Sequence, residues 1–125
     1  MTGVQTCALP ISTCDAKHLP GYVQLADQFK AKGVDTIACF AVNDVFVMGA
    51  WAKHSNVGDK VLMLADGNGD YARALGLILD ARGFGMGERS QRFAIIVEDG
   101  IASQVFVEAG GEFKVSSAEH VLAAL

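Results

Sequence analysis

Proline is almost absent from this chain, two residues in 125, and long apolar runs are absent too. No segment approaches the roughly 20 apolar residues that a membrane-spanning helix needs, and no basic stretch followed by an apolar core marks a secretory signal. Cysteine is scarce and odd in number: Cys7, Cys14 and Cys39, irregularly spaced, do not make the paired framework of a disulfide-stapled domain. The histidines His18, His54 and His120 are far apart and none stands with a cysteine at ligand spacing, so neither a metal site nor another cofactor is expected. Basic charge is also short: the net charge is −4 with lysines and arginines dispersed, which argues against the basic face of a nucleic-acid binder. There is no linker, repeat or low-complexity tract. The expectation is a cytoplasmic protein with neither membrane nor nucleic acid as partner.

What is present suffices for one core, with 51% hydrophobic and 19% charged residues. Strand-like and helix-like periods alternate, which predicts an α/β fold in which helices cover a sheet. Tyr22, Leu25, Ala26 and Phe29 recur at helical spacing, and Lys30, Lys32 and Gly33 close that helix. Residues 34–42 form a nearly continuous apolar run, as a strand buried on both faces requires. Asn43 and Asp44 predict a cap for a second helix through Lys53, residues 61–65 read as another buried strand, and a short helix is expected over 71–77. Residues 93–98 and 102–108 flank Asp99-Gly100 as a hairpin, and Ser116 or Ser117 caps a closing helix to Leu125.

The stretch T-C-D-A-K-H-L-P-G-Y, residues 13–22, sets Cys14 at the mouth of a helix that Pro20 interrupts. A free thiol has a pKa of about 8.5, and the open N–H groups of a helix start, with a cation nearby, lower it to roughly 3.5–7.5. That string resembles the active-site helix of type-five peroxiredoxins, in the redoxin branch of the thioredoxin-fold superfamily. The resemblance continues through G-V-D-T-I-A-C-F-A-V-N-D-V-F-V-M-G-A-W at 33–51, L-M-L-A-D-G-N-G at 62–69, R-S-Q-R-F-A-I-I-V-E-D-G at 89–100 and V-S-S-A-E-H-V-L-A-A-L at 115–125. It implies a thioredoxin-like fold, a central mixed β-sheet flanked by helices. It also implies thiol-dependent reduction of hydrogen peroxide and alkyl hydroperoxides, and a homodimer. Cys14 takes the place of the peroxidatic nucleophile and Arg92, in the R-F pair, that of the active-site arginine. Thr13 contributes a backbone N–H beside the thiol or serves only as a helix cap. His18, one turn past Cys14, is read either as a structural hydrogen-bonding group or as a proton-transfer partner.

The front of the chain departs from this pattern. The family carries P-x-x-x-T-x-x-C, whereas here Ile11 stands at the threonine and Cys7 at the proline. Residues 1–11 read like a translated sequencing adapter joined to a truncated gene, so 1–12 is expected to be an artefactual or divergent segment and 13–125 the peroxiredoxin-like domain. The family's N-terminal hairpin and central strand are expected to be missing or replaced by residues 4–11, where Pro10 would interrupt a ladder. Phe113 to Ser117, where two-cysteine members keep a second cysteine, contains none, and Cys39 reads as core. The reading is therefore a one-cysteine enzyme recycled by glutathione, glutaredoxin or another thiol reductant. Two rivals stand beside it: an inactive thioredoxin-fold remnant or interaction module, and a nucleotide-binding protein suggested by the glycines at 67–69 and 83–87. Neither glycine cluster closes a strand and opens a helix with phosphate-cradle spacing. Phe46, Met48 and Trp51 are candidates either for a dimer interface or for the core.

Overall fold

The computed structural model describes the backbone of residues 3–7 and 14, and the whole of residues 15–110 and 112–125. Five strands make one mixed sheet in the order β3-β2-β1-β6-β7: β3 is Leu62–Ala65, β2 Thr36–Ala41, β1 Gly3–Cys7, β6 Phe93–Glu98 and β7 Ile101–Val107. β1 runs parallel to β2 and antiparallel to β6, and β2 runs parallel to β3. The central position is thus filled by Gly3–Cys7, which ends before Pro10. Residues 8–13, Pro10 included, lie outside the described residues.

Strand alternation sorts the core into two halves. Ile37, Cys39 and Ala41 of β2, with Ala94 and Ile96 of β6, face one side and meet Leu19, Tyr22, Ala26, Phe29, Met48, Trp51, Ala118 and Val121. Phe40, Phe93 and Ile95 face the other and meet Ala72, with Val42, Leu64 and Leu75 packed around them. Burial of β2 on both faces is therefore what its unbroken apolar run reports. β3 differs from its expected burial: it is the sheet edge, and Leu62 is 54% exposed.

The helices follow their local signals with instructive departures. Residues Cys14–His18 form a π-turn leading into α1 (Leu19–Gln24), and a break at Leu25 separates α1 from α2 (Ala26–Ala31). Pro20 sits in the first turn of α1, just past the π-turn, so the helical run that opens at Cys14 changes its winding beside the proline. Gly33, at φ +91°, supplies the left-handed exit. Asp44 caps α3 (Val45–His54) by accepting from Val47 N at 2.8 Å. Ser117, not Ser116, caps α5 (Ala118–Ala123). Asp99 and Gly100, both with positive φ, make the tight turn between β6 and β7. Unforeseen was a two-stranded hairpin, β4 (Ile78–Asp80) with β5 (Glu88–Ser90). The glycines of 83–87 lie in its connection rather than after a strand and before a helix.

The other glycine cluster does lie between a strand and a helix, β3 and α4 (Asp70–Leu75). The α4 N-terminus already holds an anion: the Asp66 carboxylate accepts from Tyr71 N at 3.1 Å and Ala72 N at 2.9 Å. A protein carboxylate thus takes the donors that a phosphate cradle would offer.

Candidate active site

The sheet's topology decides which residues share an end. β1 enters beside Val97 and leaves beside Ala94, so its C-terminal end lies at the start of β6. The chain leaving β1 reaches the π-turn that opens with Cys14, and Arg92 immediately precedes β6. Thr13 and Ile11 lie outside the described residues, as do the Cys14 and Cys7 side chains.

Arg92 is half-buried and donates through Nη1 to the Glu112 carbonyl at 2.6 Å, while its own carbonyl accepts from Glu108 N at 3.0 Å. Arg89, three residues earlier, is engaged elsewhere. Its Nη1 donates to the Val42 carbonyl at 2.7 Å and to Asn43 Oδ1 at 2.9 Å, and its Nε to the Met86 carbonyl at 2.8 Å. It locks the β2–α3 turn to the β4–β5 hairpin.

His18 is buried, and its Nε2 lies 2.8 Å from the Ser116 carbonyl, which also accepts from Tyr22 Oη at 2.8 Å. A carbonyl only accepts, so Nε2 carries the proton in that pair. The ring packs edge-on against Phe113 and tilted against Tyr22. Burial first, then the charges of Glu119, Cys39 and Glu108, push the Tyr22 hydroxyl well above its usual range, so it remains a donor. Asp15, next to Cys14, accepts from Trp51 Nε1 at 2.7 Å and so ties the π-turn to α3.

Sequence reasoning passed over Glu108. It is buried, and its carboxylate accepts from Lys114 N at 2.8 Å, Val115 N at 3.2 Å, Ser116 N at 2.9 Å and Ser116 Oγ at 2.6 Å. Burial works to raise its pKa, but the Ser116 hydroxyl and the three backbone N–H groups outweigh it, and the net direction is downward. The one available signal was a glutamate closing an apolar strand, six to eight residues before a polar turn.

Cys39 lies mid-strand with no exposed surface, as a core residue. Met48 and Trp51 are core as well, whereas Phe46 is 83% exposed. Among the described residues, no three histidine, cysteine or acidic side chains converge as a metal site, and no helix is long and apolar enough to cross a membrane.

Comparison with known proteins agrees with this architecture. The chain is 50% identical over 113 residues to Peroxiredoxin-2B of Arabidopsis thaliana, covering 90% of this chain and 70% of that one. Among solved structures, reduced Prx3 of Vibrio vulnificus in complex with H2O2 superposes with a TM-score of 0.92 at 49% identity, covering 98% of this chain and 79% of that one. A Burkholderia cenocepacia protein described as a thioredoxin reductase superposes with a TM-score of 0.96 at 45% identity, over 98% of this chain and 74% of that one. With a family model matching residues 8–122, on a thioredoxin-like α/β fold, the chain belongs to the Redoxin family.

Proposed function

We propose that this chain is a thiol peroxidase of the type-five peroxiredoxin kind, reducing hydrogen peroxide and alkyl hydroperoxides with Cys14 as nucleophile. The observation that carries the reading is the shared sheet end: the segment opening with Cys14 follows the C-terminal end of β1, and Arg92 stands at the start of its antiparallel neighbour β6. The Cys14 thiolate attacks one peroxide oxygen, an S–O bond forms as the O–O bond breaks, and the departing alkoxide or hydroxide takes up a proton. Arg92 holds the thiol ionised and offers its guanidinium donors to the peroxide oxygens. Thr13, which lies outside the described residues, joins the site on the family motif alone, as a backbone N–H donor to the thiolate or as a helix cap. The similarity to a Vibrio protein solved with H2O2 supports the substrate class.

The product is a sulfenic acid on Cys14. Cys39 is enclosed in the core, 113–117 holds no cysteine and Cys7 belongs to the divergent segment, which supports a one-cysteine enzyme reduced from outside. One thiol of glutathione or glutaredoxin displaces water to form a mixed disulfide, and a second releases Cys14 as thiol. The protein works in the cytoplasm as a homodimer, and Phe46, with Val45 at 65% exposure, offers apolar surface for the contact. Sedimentation velocity reads that assembly, and a monomer at micromolar concentration would contradict it. We read residues 1–12 as divergent or adapter-derived in origin and 13–125 as the family domain, although Gly3–Cys7 pairs within the same sheet.

Ile11 and Cys7, standing where the family has threonine and proline, favour a second reading, an inactive thioredoxin-fold module. Peroxide consumption with glutathione and glutaredoxin separates the two. The peroxidase consumes hydrogen peroxide with one turnover per two thiols oxidised, and the module consumes none above the Cys14→Ser background.

A further inference from the structure

A buried carboxylate is costly unless it is fully hydrogen-bonded. Glu108, 7% exposed just past the end of β7, answers that cost by drawing the donors of three consecutive residues, Lys114, Val115 and Ser116, onto itself. Folding this segment around one anion fixes where its carbonyls point. The Ser116 carbonyl meets His18 and Tyr22, both on the helical segment that follows Cys14. The Glu112 carbonyl, just before the segment, meets Arg92. Glu108 also donates its backbone N–H to the Arg92 carbonyl at 3.0 Å. One carboxylate therefore anchors the loop that connects to both the candidate arginine and the candidate thiol's helix.

We propose that Glu108 is a positioning residue for the peroxide site, an inference that rests on the Cys14 and Arg92 roles given above. It touches neither peroxide nor sulfur. Its work is to hold the 112–116 loop so that Arg92 and the Cys14 helix keep their relative orientation.

The sign of one titration separates this role from its rivals. Deleting a negative charge near a thiol favours the thiolate, so a role of Glu108 through charge alone makes Glu108→Gln lower the Cys14 pKa. A purely structural role leaves the pKa where it was. Loss of Arg92 positioning raises it. The measurement is the pH dependence of Cys14 alkylation by iodoacetamide, with the rate constant for hydrogen peroxide taken alongside. For folded Glu108→Gln we expect the thiol pKa to rise by about one unit and peroxide reduction at neutral pH to fall about tenfold, with Glu108→Asp in between. A fall or no change in the pKa overturns the proposal. Should Glu108→Gln fail to fold, Ser116→Ala removes only the 2.6 Å hydroxyl bond and should shift the titration in the same direction by less. An unchanged titration there overturns it equally. If the parent thiol ignores peroxide while its titration still moves upward with Glu108→Gln, the peroxidase reading fails and the positioning role stands.

Discussion

Arg89 and Arg92 both hold backbone carbonyls, and the peroxide rate is what should tell them apart. Arg89 places three hydrogen bonds on Val42, Asn43 and Met86, so Arg89→Met should destabilise the fold by about 1.5–3 kcal/mol, the range for bonds to a charged donor. Arg92→Met gives up the 2.6 Å bond to the Glu112 carbonyl and should also destabilise the fold. It should in addition slow peroxide reduction by about a hundredfold, the scale of one lost donor to a developing negative charge, whereas Arg89→Met should leave the rate of the folded protein nearly unchanged. Stopped-flow rates on both folded variants check this, and a slow Arg89→Met beside a fast Arg92→Met would show that the wrong arginine is assigned. Glu108 carries a pH prediction. Its folded pKa is depressed, so the stability it contributes is complete above the ordinary glutamate value of about 4.3 and is lost as the pH falls through its lowered folded value. The melting-temperature gap between the parent and Glu108→Gln should be widest near neutrality and close below pH 4; a gap that persists unchanged in acid would contradict the assignment.

At the scale of elements, sequence legibility followed local chemistry. Asp44 was readable as a cap because a short acceptor before an apolar period satisfies open N–H groups, and Asp99-Gly100 because both positions need positive φ. The sequence left the cap open between Ser116 and Ser117; the choice falls on Ser117 because the Ser116 hydroxyl is taken by Glu108, eight residues back along the chain. β3 looked buried because apolar content does not tell an edge from a centre. The β4–β5 hairpin escaped notice because its three-residue strands are too short to show a period. At the candidate site, the roles of Cys14 and Arg92 came from resemblance, whereas the Glu108 network left little trace because three of its four donors are backbone N–H groups, which almost any residue carries. Trp51→Phe tests one such long-range tie: losing the 2.7 Å bond to Asp15 should destabilise the fold by about 1–2 kcal/mol and speed hydrogen exchange over residues 14–18. Exchange unchanged in that turn would show that α3 does not hold it. β1 decides between the two expected outcomes, a missing or a replaced central strand. Because Gly3–Cys7 fills the central sheet position, the strand is present and the threonine can be tested by itself. Ile11→Thr alone should raise the peroxide rate constant about tenfold, and an unchanged rate would show that this position does not limit the reaction.

For the whole molecule, a two-sided core surrounds one mixed sheet, and the end of that sheet where β1 finishes and β6 begins is where the proposed chemistry sits. The core encloses Cys39, so a thiol-specific reaction with peroxide should distinguish it from Cys14. The most direct test is to expose the protein to limiting hydrogen peroxide, trap sulfenic acid with a dimedone-type reagent and map the adduct by peptide mass spectrometry. The account predicts labelling confined to Cys14, approaching one adduct per chain and abolished in Cys14→Ser. An unlabelled Cys14, or label carried by Cys39 instead, would contradict it.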